Sequence, residues 1–480
     1  MRNAGNMLKL AILGGTLAMG TPAVAQDGPP VQTKQYDDGG IYEGTFKDGV
    51  QHGRGTYRLP NGYEYTGQWD MGEISGTGVA RFPNGSVYEG SFAKGNPEGF
   101  GKMIFADGGS YEGDWLAGKI TGNGRAAYAN GVTYDGGFEN AMHHGQGVMT
   151  NPNGYVYDGT WEQGVKAGKG KITYPDGGVY EGDMANGQRS GQGVLTMPDG
   201  LIYEGAWKDG QINGLGKLTQ SNGDVYQGLL VAGERHGTGK VTYANGDVYE
   251  GGFASDKRQG KGTFTGTDGY IYVGDWLAGR IDGQGKVTYP DGSVYEGSFR
   301  DDLADGQGKI TYPDGATYEG GWIAGVIEGK GVATYTNGVV YDGEFKNAQN
   351  HGMGTMTLAS DGYEYTGQWQ DGVRHGMGKT TYGDGTVYEG TFANGQRDGQ
   401  GTITQPSGFS YSGAWKNGKI EGKGIATYPN GNVYEGMFVA DKRQGEGTMR
   451  YISGEEESGT WRNGVLTTDE ETSEPAAPAE

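Results

Sequence analysis

The side chains in this sequence that could do chemistry recur at a fixed spacing, and that spacing decides which chemistry is open to them. The histidines are His52, His143, His144, His236, His351 and His375. All but His143 occupy one place in a 23-residue repeat, immediately before an invariant glycine. A zinc ion needs its ligands at ~2.0–2.1 Å. Same-position residues in successive two-stranded units stand about 10 Å apart. Even His351 and His375 are too distant to share a metal, and no third ligand is placed beside His143 and His144. They read as turn residues. A ladder of Glu and Asp suggests calcium sites or a carboxylate pair, but the same ~10 Å step separates its members. A solvated polar face is the expectation there. Gly-x-Gly-x-x-Gly strings abound, yet none opens a helix as a phosphate-binding loop must. No Ser, His and Asp are brought together. The sequence reads as a non-enzyme with no metal and no cofactor.

One row of side chains is left as a candidate binding surface. It consists of Phe46, Trp69, Phe92, Trp115, Phe138, Trp161, Trp207, Phe253, Trp276, Phe299, Trp322, Phe345, Trp369, Phe392, Trp415 and Phe438. Phe and Trp alternate along it, interrupted by Met184 and by a phase break at Leu230/Phe253. Aromatic rows repeating about every 10 Å could line a groove for a peptide, a helix or a second copy of the chain. They also match the pitch of a sugar chain, which makes a glycan the alternative ligand.

The elements that must position this row follow from the repeat. Taking Tyr of Tyr-Glu-Gly as position 1, it falls at Tyr42 and every 23 residues to Tyr341, then at Tyr365, Tyr388, Tyr411 and Tyr434, with one step of 24. A degenerate nineteenth unit follows at Glu457, Gly459 and Trp461. Position 3 is Gly in all nineteen units, and positions 12 and 14 are Gly in all eighteen complete ones. The row above is position 5. Two strands per unit are expected, from position 1 to 5 and from about 12 to 18. Strand side chains alternate faces, so these sets share a face across a three-residue loop such as Pro175-Asp176-Gly177. That loop suits a type I turn followed by a left-handed glycine. The resulting register pairs Tyr180 with Ile172, Gly182 with Gly170 and Met184 with Gly168, so that position 5 covers the position-12 glycine. An odd loop length is what this parity requires. On the other face, position 2 is Glu or Asp in thirteen of eighteen units, and position 17 is Thr from Thr150 to Thr427.

Tyr88-Glu89-Gly90-Ser91-Phe92 and Tyr295-Glu296-Gly297-Ser298-Phe299, followed by Gly at positions 8, 12 and 14, resemble the MORN repeat. The resemblance covers about residues 41–464. It implies an all-β fold, an elongated twisted single-sheet solenoid of about 19 antiparallel β-hairpins. It also implies scaffolding, dimerisation or the gripping of partner peptides or helices, and in some relatives peripheral association with membrane lipid. No room remains for the kinase domain that some relatives carry. Ser86 to Phe92 recurs at 293–299, which suggests a block duplication of 42–248 as 249–456, although Asp256 to Gly260 recurs out of that register at 441–445.

Composition bounds the rest. Glycine supplies 101 of 480 residues, and there are no cysteines. Residues 1–25 read as a signal peptide, with Arg2 and Lys9 before an apolar stretch and an Ala-Val-Ala cleavage site between Ala25 and Gln26. The expected location is periplasmic or secreted. Residues 26–40 read as a linker and 465–480 as a disordered acidic tail. Removing residues 1–25 leaves 38 − 2 = 36 basic against 59 acidic residues, a net charge of −23. Such a surface repels nucleic acid and works against anionic lipid. A protein or peptide partner is therefore expected.

Overall fold

The computed structural model describes residues 29–467. The proposed signal peptide with its Ala25–Gln26 cleavage site, and the tail from residue 468, lie outside the described residues. Two compact units are present, one ending at Gln188 and one beginning at Arg189. Each is built from antiparallel hairpins, and the described residues hold 39 strands and a single 3₁₀ turn.

In the first unit the strand Val165–Thr173 pairs with Val179–Ala185 in the predicted register. Ile172 faces Tyr180, Gly170 faces Gly182 and Gly168 faces Met184. The loop between them is the expected one. Gly177 N–H donates to Tyr174 O at 3.0 Å, Tyr174 N–H donates to Gly178 O at 2.8 Å, and Gly177 has φ +89°. The stretch expected as a linker includes the strand Gln32–Gln35, which pairs with Ile41–Lys47.

Two features differ from the sequence expectation. The second strand begins at position 9 rather than 12, because positions 7 and 8 form a tight turn of their own. In the first unit Gln163 and Gly164 have φ +47° and +84°, and in the second unit Ala324 and Gly325 have +48° and +84°. Two consecutive left-handed residues make a type I′ hairpin turn. Asp302 and Asp441 stand at position 8 without glycine and still take φ +70° and +64°. The second feature is a bulge. Within one hairpin Gly159 faces Gly170, but Thr160 then faces Ala167, so Gly168 and Lys169 are extra residues on their strand. Position 12 is glycine because the bulge needs positive φ, +60° at Gly168 and +79° at Gly329.

Position 14 is glycine for another reason. A Cβ on Gly331 would lie 2.5 Å from Tyr318 Oη, and one on Gly320 would lie 2.5 Å from the Gly331 Cα. The tyrosine ring therefore lies flat over a pair of glycines. Its Oη donates to the position-4 carbonyl, at 3.0 Å from Tyr318 to Gly321 and 2.8 Å from Tyr157 to Thr160. No position-1 tyrosine exceeds 2% exposure. It is this ring, and not the position-5 ring, that covers glycine.

The 24-residue step shows what fixes the register. Its loop, Ala359 to Gly362, has four residues, yet Met356 still faces Tyr365 and Gly352 still faces Trp369. An even loop thus serves as well as an odd one. Cross-strand pairing sets the face, and the turn absorbs the surplus.

Two outcomes follow for stability. Gly331→Ala forces a methyl into the tyrosine ring and should cost up to ~3 kcal/mol, as overpacking does. Gly315→Ala, at φ +89° with nothing within 4 Å, should cost only the ~1–2 kcal/mol of left-handed backbone. Hydrogen exchange in the second unit distinguishes them, and equal effects would remove the role given to the ring. Burial also pushes the Tyr65, Tyr295 and Tyr318 hydroxyls up to about 12 from 10.0. A phenol that ionises at ~10 when unfolded and higher when folded stabilises fully below pH 10. That stabilisation is lost as pH rises from 10 through about 12. Tyrosinate absorbance and circular dichroism should therefore rise and fall together across this range, after the exposed tyrosines have titrated.

Candidate functional site

The position-5 row is core. Of its sixteen rings, fifteen are buried, from 3% exposure at Trp161 to 8% at Trp322, and Phe46 is half-buried. Among the described residues these rings do not line the open groove expected from the sequence, for a reason visible in the ring geometry. Most of these rings stand edge-to-face against the tyrosine of their own hairpin and that of the preceding one. In the second unit Tyr295 meets Phe299 at 5.0 Å and Trp322 at 5.1 Å, and Tyr318 meets Trp322 at 5.6 Å and Phe345 at 5.0 Å. In the first unit Tyr88 meets Phe92 at 5.0 Å and Trp115 at 5.1 Å. The hairpins thus cover one another's rings, which is how a sheet with one apolar face is satisfied within its own stack. All nine tryptophans also donate Nε1–H to a position-14 carbonyl of the preceding hairpin, as Trp161 does to Gly147 O at 3.1 Å and Trp322 to Gly308 O at 3.3 Å. Several rings are capped by a position-10 cation, such as Arg258 over Trp276 at 4.6 Å and Arg397 over Trp415 at 4.3 Å.

The histidines are placed by the same pattern. His143 occupies position 10 and stacks on Tyr134 with centroids 3.7 Å apart, its Nε2 2.7 Å from Tyr128 Oη. Burial lowers its pKa. The others lie at position 11, inside a strand rather than in the expected turn. Side chains there reach the next hairpin's tight turn, where Glu328 accepts from Asn347 N–H at 2.8 Å and His52 Nδ1 from Met71 N–H at 3.5 Å. Among the described residues no three His, Cys, Asp or Glu side chains are grouped to hold a metal ion.

One open concavity of about 770 Å³ lies on the aromatic side at the last hairpin, among Tyr428, Arg443, Met449, Tyr451, Trp461 and Leu466, and others lie on the opposite face, over positions 2, 13 and 15. In the first unit an open furrow of about 750 Å³ runs past Glu43, Arg54, Thr56, Thr66, Thr77 and Glu89. In the second, one of about 640 Å³ is lined by Lys261, Thr263, Val273, Gln284, Lys286 and Glu296. Glycines of positions 3 and 14 floor both. This is the polar face expected from the sequence, and Lys–acid pairs cross it between strands. Lys102 meets Glu112 at 3.4 Å, Lys286 meets Glu296 at 3.8 Å and Lys309 meets Glu319 at 3.3 Å. The hydrogen bond from Lys261, 2.7 Å away, lowers the Asp275 carboxyl. Exposed pairs of this kind contribute only ~0–1 kcal/mol, so the face is free to exchange them for a ligand's charges.

A few apolar side chains interrupt the polar face at position 13. Phe100 is 62% exposed, Leu215 71%, Met353 53% and Met377 56%. Sequence reasoning centred on the ring row passed over them. Their signal was an apolar residue at a position otherwise given to Lys, Gln, Asn, Arg, Thr or Glu.

Comparison with known proteins bears on the family. No curated protein sequence matches the chain. Among solved structures, the TCP domain of SAS-4 (dCPAP) from Drosophila melanogaster, in complex with a proline-rich motif of Ana2 (dSTIL), is similar at 13% identity and a TM-score of 0.20. The match covers 46% of this chain and 98% of that one. The TCP10 domain of Danio rerio CPAP, in complex with a peptide of STIL, is similar at 15% identity and a TM-score of 0.17, over 60% of this chain and 97% of that one. A streptogramin B lyase follows at 10% identity and a TM-score of 0.11, over 62% of this chain and 92% of that one. Scores this low carry no functional inference. The MORN repeat model matches eighteen consecutive segments, from residues 42–62 to 434–456. With the repeat matched along most of its length, the chain belongs to the MORN-repeat family.

Proposed function

We propose that the chain is a non-catalytic protein-interaction scaffold, and that the partner segment lies on the polar furrow rather than on the aromatic row. The observation that carries this reading is the division of the two faces. The rings are consumed in packing, while open furrows of Lys, Glu and Thr recur over a glycine floor in each unit. Such a surface can take backbone and charged groups of a peptide or of a second copy. Its mixed charges favour complementarity over bulk apolar contact. Export remains a proposal resting on residues 1–25. No helix among the described residues is long and apolar enough to cross a membrane.

The glycan reading required open ring faces. Trp276 at 4% and Trp322 at 8% exposure offer none. Lipid association finds no support in a chain of net charge −21.

A photocrosslinking residue at Thr263 or Gln284, on the furrow, should capture a protein partner or a second copy in the producing cell. The same residue at Gly315, in a turn, should not. Reversing Lys286 and Lys309 to Glu should lower the yield several-fold and leave stability within ~1 kcal/mol. A protein that stays monomeric and crosslinks nothing from the furrow would sink the reading. Trp322→Ala should instead unfold its neighbourhood, at ~3–5 kcal/mol, measured by hydrogen exchange. If it kept full stability yet lost binding to isolated cell-wall polysaccharide, the glycan reading would return.

A further inference from the structure

One hairpin breaks the rules of the polar face at several adjacent positions. At residues 226–231 the sequence reads Tyr-Gln-Gly-Leu-Leu-Val, where most units carry an acid at position 2 and a ring at position 5. Leu230 has replaced the ring and is fully buried, so the core tolerates the change. Leu229, at position 4, faces the polar side and pairs directly across the strands with Leu215. Ala206 occupies position 4 of the preceding hairpin and adjoins the glycine before Leu215. These three make an apolar spot on a face that is mostly polar. Leu215 is the large hydrophobic most open to solvent within it, at 71%.

The charges beside the spot have changed too. Four of the seven lysines at position 15 pair with the acid at position 2 of the next hairpin, as Lys240 does with Glu250 at 3.9 Å and Lys309 with Glu319 at 3.3 Å. Lys217 faces Gln227 at that place. Glu204 faces it from the other side, but Lys217 is exposed and makes no ion pair among the described residues. In a strongly acidic protein, an unpaired cation beside an exposed apolar side chain has a definite complement, and Lys379 beside Met377 is a second such place.

We propose that this spot anchors an extended peptide segment of a protein partner. The segment carries an aliphatic or aromatic side chain two residues away from an Asp or Glu. Leu215 and Lys217 are two residues apart on one strand and one face, hence about 6.7 Å apart. An extended ligand lying along the strand repeats its own side chains at that distance. Its apolar residue then covers Leu215, Leu229 and Ala206 while its carboxylate meets Lys217. The inference rests on the scaffold reading and names the chemistry that one part of the furrow selects.

The test uses the full chain and fluorescently labelled peptides in a Ser-rich host, read by anisotropy. A Leu-x-Glu peptide should bind about tenfold tighter than Ser-x-Glu, the scale of burying one aliphatic side chain, and tighter than Leu-x-Lys. Leu215→Gln should remove the preference for Leu. Lys217→Glu should invert the preference between Glu and Lys. Both are surface changes, and an unchanged urea midpoint confirms that the variants fold. The inference is overturned if wild-type protein does not discriminate among the three peptides, or if its discrimination survives both substitutions. Crosslinking from Thr263 and Gln284 that persists in the double variant would then show that the scaffold reading stands without this anchor.

Discussion

Everything in these hairpins depends on a tyrosine ring lying across two glycines. The position-14 glycine gives the ring a floor, and the position-3 glycine lets the neighbouring strand approach it without a side chain between them. The ring's hydroxyl then reaches the position-4 carbonyl, beside the bulge that position 12 makes by going left-handed. A buried carbonyl without a donor is costly. The bulge and the tyrosine therefore require each other, and so do the three glycines. The position-5 aromatic residues stack against the tyrosine, and at several hairpins a cation at position 10 closes over them.

This arrangement explains how one apolar face is buried without a second layer. Edge-to-face rings pass the contact from hairpin to hairpin, and most tyrosines touch a ring on both sides. The cost is functional. A ring used in this way has no face to offer a ligand. Recognition is left to the other side, where the side chains are mostly solvated. The polar face can therefore vary from unit to unit, as Phe100, Leu215 and Gln227 do.

Much of the fold was legible in the sequence. Tyr180 opposite Ile172 and the left-handed Gly177 follow from strand alternation and the Pro-Asp-Gly loop. The tight turn was passed over although Asn186-Gly187 and Asp209-Gly210 carry the type I′ signal; Ala324 adopts positive φ only under the constraint of the hairpin. Gly168 and Gly170 look alike as letters, yet one serves a backbone angle and the other a ring. The burial of Trp276 and Trp322 was not legible at all. It arises from contacts between hairpins, and the 23-residue repeat reports the period of those contacts without reporting their depth. The candidate site was misread for that reason. A periodic aromatic looks the same in sequence whether it lines a groove or fills a core.

The four-residue loop from Ala359 to Gly362 carries a last consequence. One residue has been added there, and the pairings on both sides have kept their partners. The long turn is thus a place where the reading of the chain can slip by one without harm. The tight turn is not, because its two residues are fully committed to reversing the strand. Insertions and deletions should accumulate at one rim of the hairpins and be purged from the other. The lineage can then lengthen, decorate or splice its array on that rim while the tyrosine–glycine register stays fixed.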